Sequence, residues 1–369
     1  MTKAASLSVV PAQKPQPAHG HIHVPMSLVG PALLYFGENE VAEEVLMPMA
    51  TYETPLWPSC GRGAKVSRQI GGVRATLLSD GMTRSVAVKA ESAHAAHALL
   101  RQWEQDGLIR KKAEGTGRFV TLEDWSARII GRNIYLRMQF ATAEAAGHNM
   151  ATKASDAVLE YLCNEYPVTY VSVSGNMCVD KKVSAINSIA GRGKSVVVEG
   201  VIPESLCMER LKTTPEAIHN LNVDKNYMGS LAAGSLCSAN AHYANMLLAC
   251  YLAAGQDAAN IVEGSQGITA TEVVETEKGE KALYFSVNLP NIIVGTIGNG
   301  KEHEGVRQNL ALMGCGSEQD DPEDFSKSQR LAMIVATAVW CGELSLMAAQ
   351  TNPGELMATH VAIERAQKS

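Results

Sequence analysis

Between residues 84 and 173 the apolar residues alternate between a period of two and a period near 3.6, and the order of the switches constrains the fold strongly. RSVAVKA alternates like a strand. SAHAAHALLRQWEQDG is helical, with Ser92 as a candidate N-cap and Gly107 as its stop. GRFVTLED and NIYLRMQFAT read as two further strands. EAAGHNMATKASDAVLEYLCNEYP has apolar residues at helical spacing and ends before Pro167, and VTYVSVS is expected to be a final buried strand. The order is βαββαβ, which predicts a ferredoxin-like unit of four antiparallel strands backed by two helices.

The flanking text, 21–84 and 184–369, is rich in Ala, Gly, Ser and Met and predicts helices over 213–229, 235–253 and 326–349. Only KSVVVEGVI and ALYFSVNL stand out there as strands. Helices lined with Ala and Gly let neighbouring backbones approach closely, so a helix-dominated core is expected. The fold class is therefore α+β: a helix-rich large domain (21–84 and 184–369) with residues 85–172 inserted as the ferredoxin-like unit. Residues 173–183 connect the two, and junctions of this kind are where clefts form. That connection runs through VSVSGNMCVDKKVSAIN, where Asp180, Lys181 and Lys182 stand side by side. Either the loop carries them for solubility, or one lysine turns inward and does chemistry.

With 46% hydrophobic and 19% charged residues among 369, the chain can bury a large core. Its net charge of −6 gives no general attraction to nucleic acid or anionic membrane. The eight cysteines are scattered without a C-x-x-C pair, which suits free thiols in a reducing, cytoplasmic setting. Residues 1–20 read as a disordered leader, since their apolar run is short and broken by Pro11. The most apolar stretch, 230–254, is interrupted by Asn240, His242 and Asn245, so no membrane span is expected. HGHIH would align His19, His21 and His23 on an extended segment, but no acid or thiol stands nearby to complete a shell. No metal site is expected.

Several polar residues need explaining. Glu53, in PMATYETPLWP, is a structural acid or, if partly buried, a proton donor near neutral pH. His242 and Asn245 lie three apart on one helical face. Asp257 follows Gly255 and is a helix cap, or the partner of a lysine. Lys225 is an isolated base near a helix end. EAAGHNM opens a helix at Gly147, where free N–H groups could meet a phosphate, and GTIGNGK is a glycine-rich turn. GRGKS lacks half of the phosphate-loop motif and reads as a turn.

Taken together, PMATYE, LSDGMTRS, GRNIYLR, VSGNMCVDKKVSAINSIAGRGKSVVVEGVIP, KTTPEA, NAHYANMLLACYLAAGQDAANIVEGS and GELSLMAA resemble the 3-hydroxy-3-methylglutaryl-CoA reductase family, in family order over about residues 24–365. The likeness is to the soluble, class I-like form. It implies a catalytic set of Glu53, Lys181, Asp257 and His360. Lys181 would stabilise the oxyanion formed at each hydride transfer, and Glu53 would protonate the aldehyde. Asp257 would lie between them and tune both, and His360, in a flexible catalytic tail (355–369), would protonate the CoA thiolate. The resemblance assigns Arg84, Ser174, Asp180, Lys182, Lys225, His242 and Asn245 to the substrate. It assigns Arg118, Gly147, Asn149, Met150, Gly298 and Gly300 to the cofactor, taken as NADPH with NADH possible. Arg365 and Lys368 are weaker supports for NADPH. It also implies a homodimer or tetramer with each site at a subunit interface, binding 3-hydroxy-3-methylglutaryl-CoA.

The chain departs from the family pattern in four places. Asn299 and Lys301 replace usual residues of the glycine turn, and Glu144 and His148 stand where Asp and Met are usual. The resemblance implies that the family's preceding helical region and dimer-contact motif are missing or replaced by AHGHIH, so other surfaces would mediate dimerisation. The spacing before His360 is one residue longer. Two alternatives accompany the main reading: an NAD-dependent enzyme working towards mevalonate breakdown, and a catalytically silent CoA-binding paralogue.

Overall fold

In the computed structural model of the chain, residues 22–235, 237–318, 325–358 and 361 are described. Nine strands are present: β1 (Met26–Phe36), β2 (Glu43–Ala50), β3 (Val73–Lys89), β4 (Thr121–Ile130), β5 (Asn133–Ala141), β6 (Thr169–Ser172), β7 (Gly193–Pro203), β8 (Ile268–Glu275) and β9 (Lys281–Ile292). The 17-residue β3 organises them. Its first half pairs in parallel with β1 and antiparallel with β7, giving the order β2-β1-β3-β7-β9-β8. Its second half pairs antiparallel with β5 and β6, while β4 pairs with β5. The second set reads β4-β5-β3-β6, the ferredoxin-like arrangement expected from the periodicity. Position 84, where the sequence suggests one part ends, falls inside this unbroken strand.

The helix Ala93–Asp106 begins and ends as its sequence predicts. The Ser92 hydroxyl accepts the Ala95 N–H at 3.1 Å, and Gly107 adopts φ 64°. A second helix, Leu108–Glu114, follows at once and was not expected. The second expected strand therefore begins at Thr121 instead of 117, and Arg118 falls in a turn. β6 is a further correction: it is an edge strand, with Tyr170 61% and Val171 43% exposed, not a buried one.

The larger part contains more sheet than its sequence suggests, because β1, β2 and β8 do not announce themselves by clean alternation. The sheet packs on the helix Lys327–Gln350, which is buried along almost its whole length. This is the one described helix long and apolar enough to cross a membrane, and it serves instead as a core element. Trp340 on it donates to the Phe285 carbonyl at 3.0 Å and meets the Phe285 ring edge-on. The helix Leu56–Gln69 crosses it so closely that a Cβ on Gly63 would stand 2.2 Å from the Cys341 carbonyl oxygen. The small residues noted in the sequence thus mark a close crossing of helices.

Two expected helices are shorter than their periodicity suggests. Over 213–229, Pro215–Leu221 is α-helical, with Thr214 as cap, and Asn222–Gly229 widens into a π-helix that buries Asn222 and Asn226. Residues 235 and 237–242 are not helical. Asn240 turns its side chain to the carbonyls of Ser265 and Gly267 and accepts the Tyr243 N–H, so the helix starts at Tyr243.

Candidate active site

The segment from Ser174 to Lys181 follows an unusual backbone course. Asn176, Val179 and Lys181 have φ of 62°, 44° and 55°, a region that costs free energy for side chains with a Cβ and most for a β-branched one. Compensating bonds hold it: Gly175 N–H donates to Ser85 O at 2.8 Å, and the Asn187 amide donates to Val179 O at 2.9 Å. In this conformation Lys181 Nζ lies 2.7 Å from Asp257 Oδ2. Asp257 also caps the turn Ala258–Asn260, where its Oδ1 accepts the Ala259 N–H at 3.0 Å. The sequence left cap and lysine partner as alternatives, and the carboxylate does both, one oxygen for each.

The electrostatics follow from this contact. The hydrogen bond to Asp257 raises the Lys181 ammonium above its usual range, against a smaller opposing effect of burial. For Asp257, burial pushes the carboxyl up, but Lys181 and the Ala259 N–H outweigh it, and the net shift is downward. Both groups are charged near neutral pH.

Asp180 faces the other way. Its Oδ1 takes the Arg192 guanidinium at 2.8 Å and stands 3.8 Å from His148 Nε2, a nitrogen without a hydrogen bond. Burial, then the charge of Arg192, lowers the His148 pKa, so the imidazole is neutral at pH 7. Lys182 is exposed and donates to the Asp180 backbone carbonyl at 3.0 Å. Ser174 closes a local turn with Ser172, its N–H donating to Ser172 Oγ at 2.9 Å. Arg192 belongs to GRGKS, read in the sequence only as a turn. Its functional signal was an arginine beginning a buried strand, where a charge needs a partner.

Lys181 and Asp257 open into a cleft of about 630 Å³ whose wall also includes Arg84 and Asp180. The other wall is Gly147 to Met150 and the turn at Gly298. Gly147, at φ 89°, precedes the 18-residue helix His148–Glu165, and a Cβ there would stand 2.5 Å from Thr142 Oγ1. The N–H groups of that first turn have no partner within the helix, and Gly147 to Met150 line the cleft. Gly298, at φ 100°, has open space where a Cβ would be, while Gly300, at φ 86°, packs on the Gly255 carbonyl. Lys301 folds back onto the same carbonyl, Nζ to O 2.5 Å. Glu144 accepts Thr296 Oγ1 at 2.6 Å and the N–H groups of Lys327 and Ser328 at 3.0 and 2.8 Å, tying the glycine segments to the start of the core helix. Arg118 is exposed, its guanidinium over Phe119, and is not among the residues lining the cleft.

Glu53, His242 and Asn245 line a separate hollow of about 360 Å³. The expected placement of Asp257 between Lys181 and Glu53 is not found within one chain: Glu53 is exposed in the other hollow. There His242 Nε2 faces the Gly342 carbonyl at 2.8 Å. That places the proton on Nε2 and leaves Nδ1 to face the Asn245 amide at 3.5 Å. Buried Glu343 fixes this turn by accepting the N–H groups of Ala241 and His242 at 2.6 and 3.0 Å. Lys225 donates to Asn226 Oδ1 at 2.9 Å; burial lowers its pKa and the charge of Glu343 opposes the shift. Arg62, which the sequence did not single out, pairs with Glu355 at 2.9 Å across the floor. Leu356 also lines this hollow, so the segment leading to His360 leaves from it. His360 itself, with Arg365, Lys368, His19 and His21, lies outside the described residues. Among the described residues no cluster of three His, Cys, Asp or Glu could hold a metal.

In this α+β enzyme a paired lysine and aspartate stand at one wall of a cleft, opposite a helix start and a glycine turn. The family model for hydroxymethylglutaryl-coenzyme A reductase matches residues 18–365, and the chain belongs to that family. It is 41% identical over 335 residues to the 3-hydroxy-3-methylglutaryl-coenzyme A reductase of Pyrococcus abyssi, covering 89% of this chain and 79% of the relative. The Aeropyrum pernix enzyme is 41% identical over 350 residues, covering 94% and 80%. A class II reductase of Streptococcus pneumoniae, solved bound to NADPH, superposes with TM-score 0.70 at 17% identity over 91% of this chain and 77% of that one. At that identity the match speaks to the fold alone.

Proposed function

We propose that the chain reduces 3-hydroxy-3-methylglutaryl-CoA to mevalonate and CoA, with NADPH as the reductant, in isoprenoid biosynthesis. The observation that carries this reading is the 2.7 Å contact between Lys181 and Asp257 at the cleft wall. An ammonium whose charge is secured by a neighbouring carboxylate is a fixed electrostatic partner for the oxyanion at the reacting carbonyl, and such preorganised groups are typically the largest catalytic contribution. Near neutral pH Lys181 therefore stabilises charge without giving up its proton, and the proton for the aldehyde oxygen comes from elsewhere. Glu53 is assigned that role. From its exposure within one chain we infer that a second copy supplies the surroundings, each site then combining the Lys181 cleft of one subunit with the Glu53 hollow of its partner. Val183, Ile189, Met228 and Leu231, exposed at 51%, 81%, 59% and 71%, are apolar groups that such an assembly would cover. His360 is assigned the protonation of the departing thiolate.

The residues present fit a nicotinamide dinucleotide. Gly147, Asn149 and Met150 would hold its phosphates at the helix start, and Gly298 leaves space for close approach. When bound, the cofactor supplies hydride. The ferredoxin-like part, 85–172, is thus assigned to the cofactor and the remainder to the CoA thioester. Arg84 and Asp180 are assigned to the substrate from the cleft and Asn245 from the other hollow, with Lys225 a further candidate outside both linings. The NADPH-bound relative supports a nicotinamide cofactor, while Arg118 stands outside the cleft and offers no support for the 2′-phosphate. Steady-state turnover of the CoA thioester with each cofactor tests the assignment: NADPH is expected to be preferred, and a preference for NADH would overturn it in favour of the degradative direction.

A further inference from the structure

Beneath the Lys181–Asp257 contact lies a second ion pair that the chemistry above does not use. Arg192 and Glu263 are 1% and 0% exposed, with Nε and Oε1 3.5 Å apart. We propose that this buried pair is a positioning device for the reaction, holding the segment that carries Asp180 and Lys181 against the turn that carries Asp257. The bonds on either side make the connection. Arg192 reaches Asp180 Oδ1 at 2.8 Å and Thr83 Oγ1 at 3.0 Å, so it orients the residue before Lys181 and ties it to β3. Glu263 accepts the Asn260 amide at 2.9 Å, and the Asn260 N–H bonds the Asp257 carbonyl at 3.1 Å, so it orients the turn of Asp257. The Lys181 backbone N–H also faces the Glu263 carboxylate, and the Asn291 amide donates to the Glu263 carbonyl at 3.2 Å.

Stability is a poor reason for this arrangement. Burying two charges costs nearly as much as their attraction returns, and an apolar pair of similar volume often serves a core as well or better. Here the contact is long, and Arg192 Nε and Glu263 Oε2 make no hydrogen bond. What an apolar pair could not do is direct Asp180 and the Asp257 turn at once. Lys181 sits at φ 55°, a conformation that needs external support, and 75 residues of chain separate it from Asp257. With the pair in place both groups arrive at 2.7 Å before any ligand binds.

The inference rests on the reductase reading, and the test separates the two. If the unsubstituted protein fails to reduce the CoA thioester with either nicotinamide, that reading fails first. In an active protein, the double variant Arg192→Met with Glu263→Leu leaves no buried lone charge and is expected to melt near the parent. Its kcat should fall on the order of 100-fold, the scale on which a misplaced group costs rate, with KM for the cofactor little changed. The pH profile supplies a readout that a purely structural role would not move. Lys181 is faced by Asp257, Asp180, Glu263 and His148, and its raised pKa depends first on the Asp257 contact. Loosening that contact should shift the basic limb of kcat to lower pH. Glu263→Gln, which keeps the shape, should show the same shift with a smaller loss, and it decides the matter if the double variant does not fold. Unchanged kcat and basic limb in either folded variant would overturn the proposal.

Discussion

Two histidines separate the chemistry from its setting. For His360→Ala, thioester reduction should fall by a factor of about 10² to 10⁴, the range of a lost general acid, while free mevaldehyde is still reduced. Equal losses on both substrates in parallel assays would contradict its role at the thiolate. His148 is instead a neutral imidazole held below its ordinary pKa by burial and Arg192. As pH drops through about 6.5, the unfolded chain takes up this proton before the folded one does, so His148 costs stability in that window and nothing above it. Thermal unfolding of His148→Met should therefore show a shallower loss between about pH 7 and pH 5 than the parent. Identical slopes would show that His148 does not titrate in this way. The contact between Lys181 and Asp257 was partly legible, because an acid among alanines beside a helix start needs a cap or a lysine partner. Arg192 and Glu263 were not, because each looks like an ordinary polar residue at the end of an element until burial shows that it needs a partner.

At the scale of elements, local signals read well where one bond decides the outcome. Ser92 and Gly107 bounded their helix because a cap bond and a left-handed residue are written in one or two positions. β1, β2 and β8 were missed because their register depends on neighbours distant in sequence, and 237–242 was misread because Asn240 spends its side chain on carbonyls 25 and 27 residues away. The Ala and Gly content was informative in a different way. It marks where the helices Leu56–Gln69 and Lys327–Gln350 touch, and Gly63 is the tightest point. Gly63→Ala has no room for its methyl against the Cys341 backbone, so the helices must separate. A loss of about 1–3 kcal/mol in denaturant unfolding is expected, and a neutral result would mean that the crossing is looser than described.

The whole molecule places Lys181 and Asp257 in one hollow and Glu53, His242 and Asn245 in another. The order of strands and helices from 84 to 173 was legible because hydrophobic period fixes it, and the cleft fell at the junction that the order implies. The separation of Glu53 from Lys181 within one chain was not legible in the residues themselves, since nothing in their spacing fixes which hollow each lines, and only the resemblance placed each site at a subunit interface. The most direct measurement is complementation between two inactive variants, Glu53→Gln and Lys181→Met, unfolded and refolded together in equal amounts. If sites form between two subunits, each mixed dimer holds one intact site and one doubly damaged site, and about a quarter of parental activity should return under random pairing. If the mixture stays as inactive as the two variants alone while mixed dimers are shown to form, Glu53 and Lys181 do not meet across the interface and the account fails.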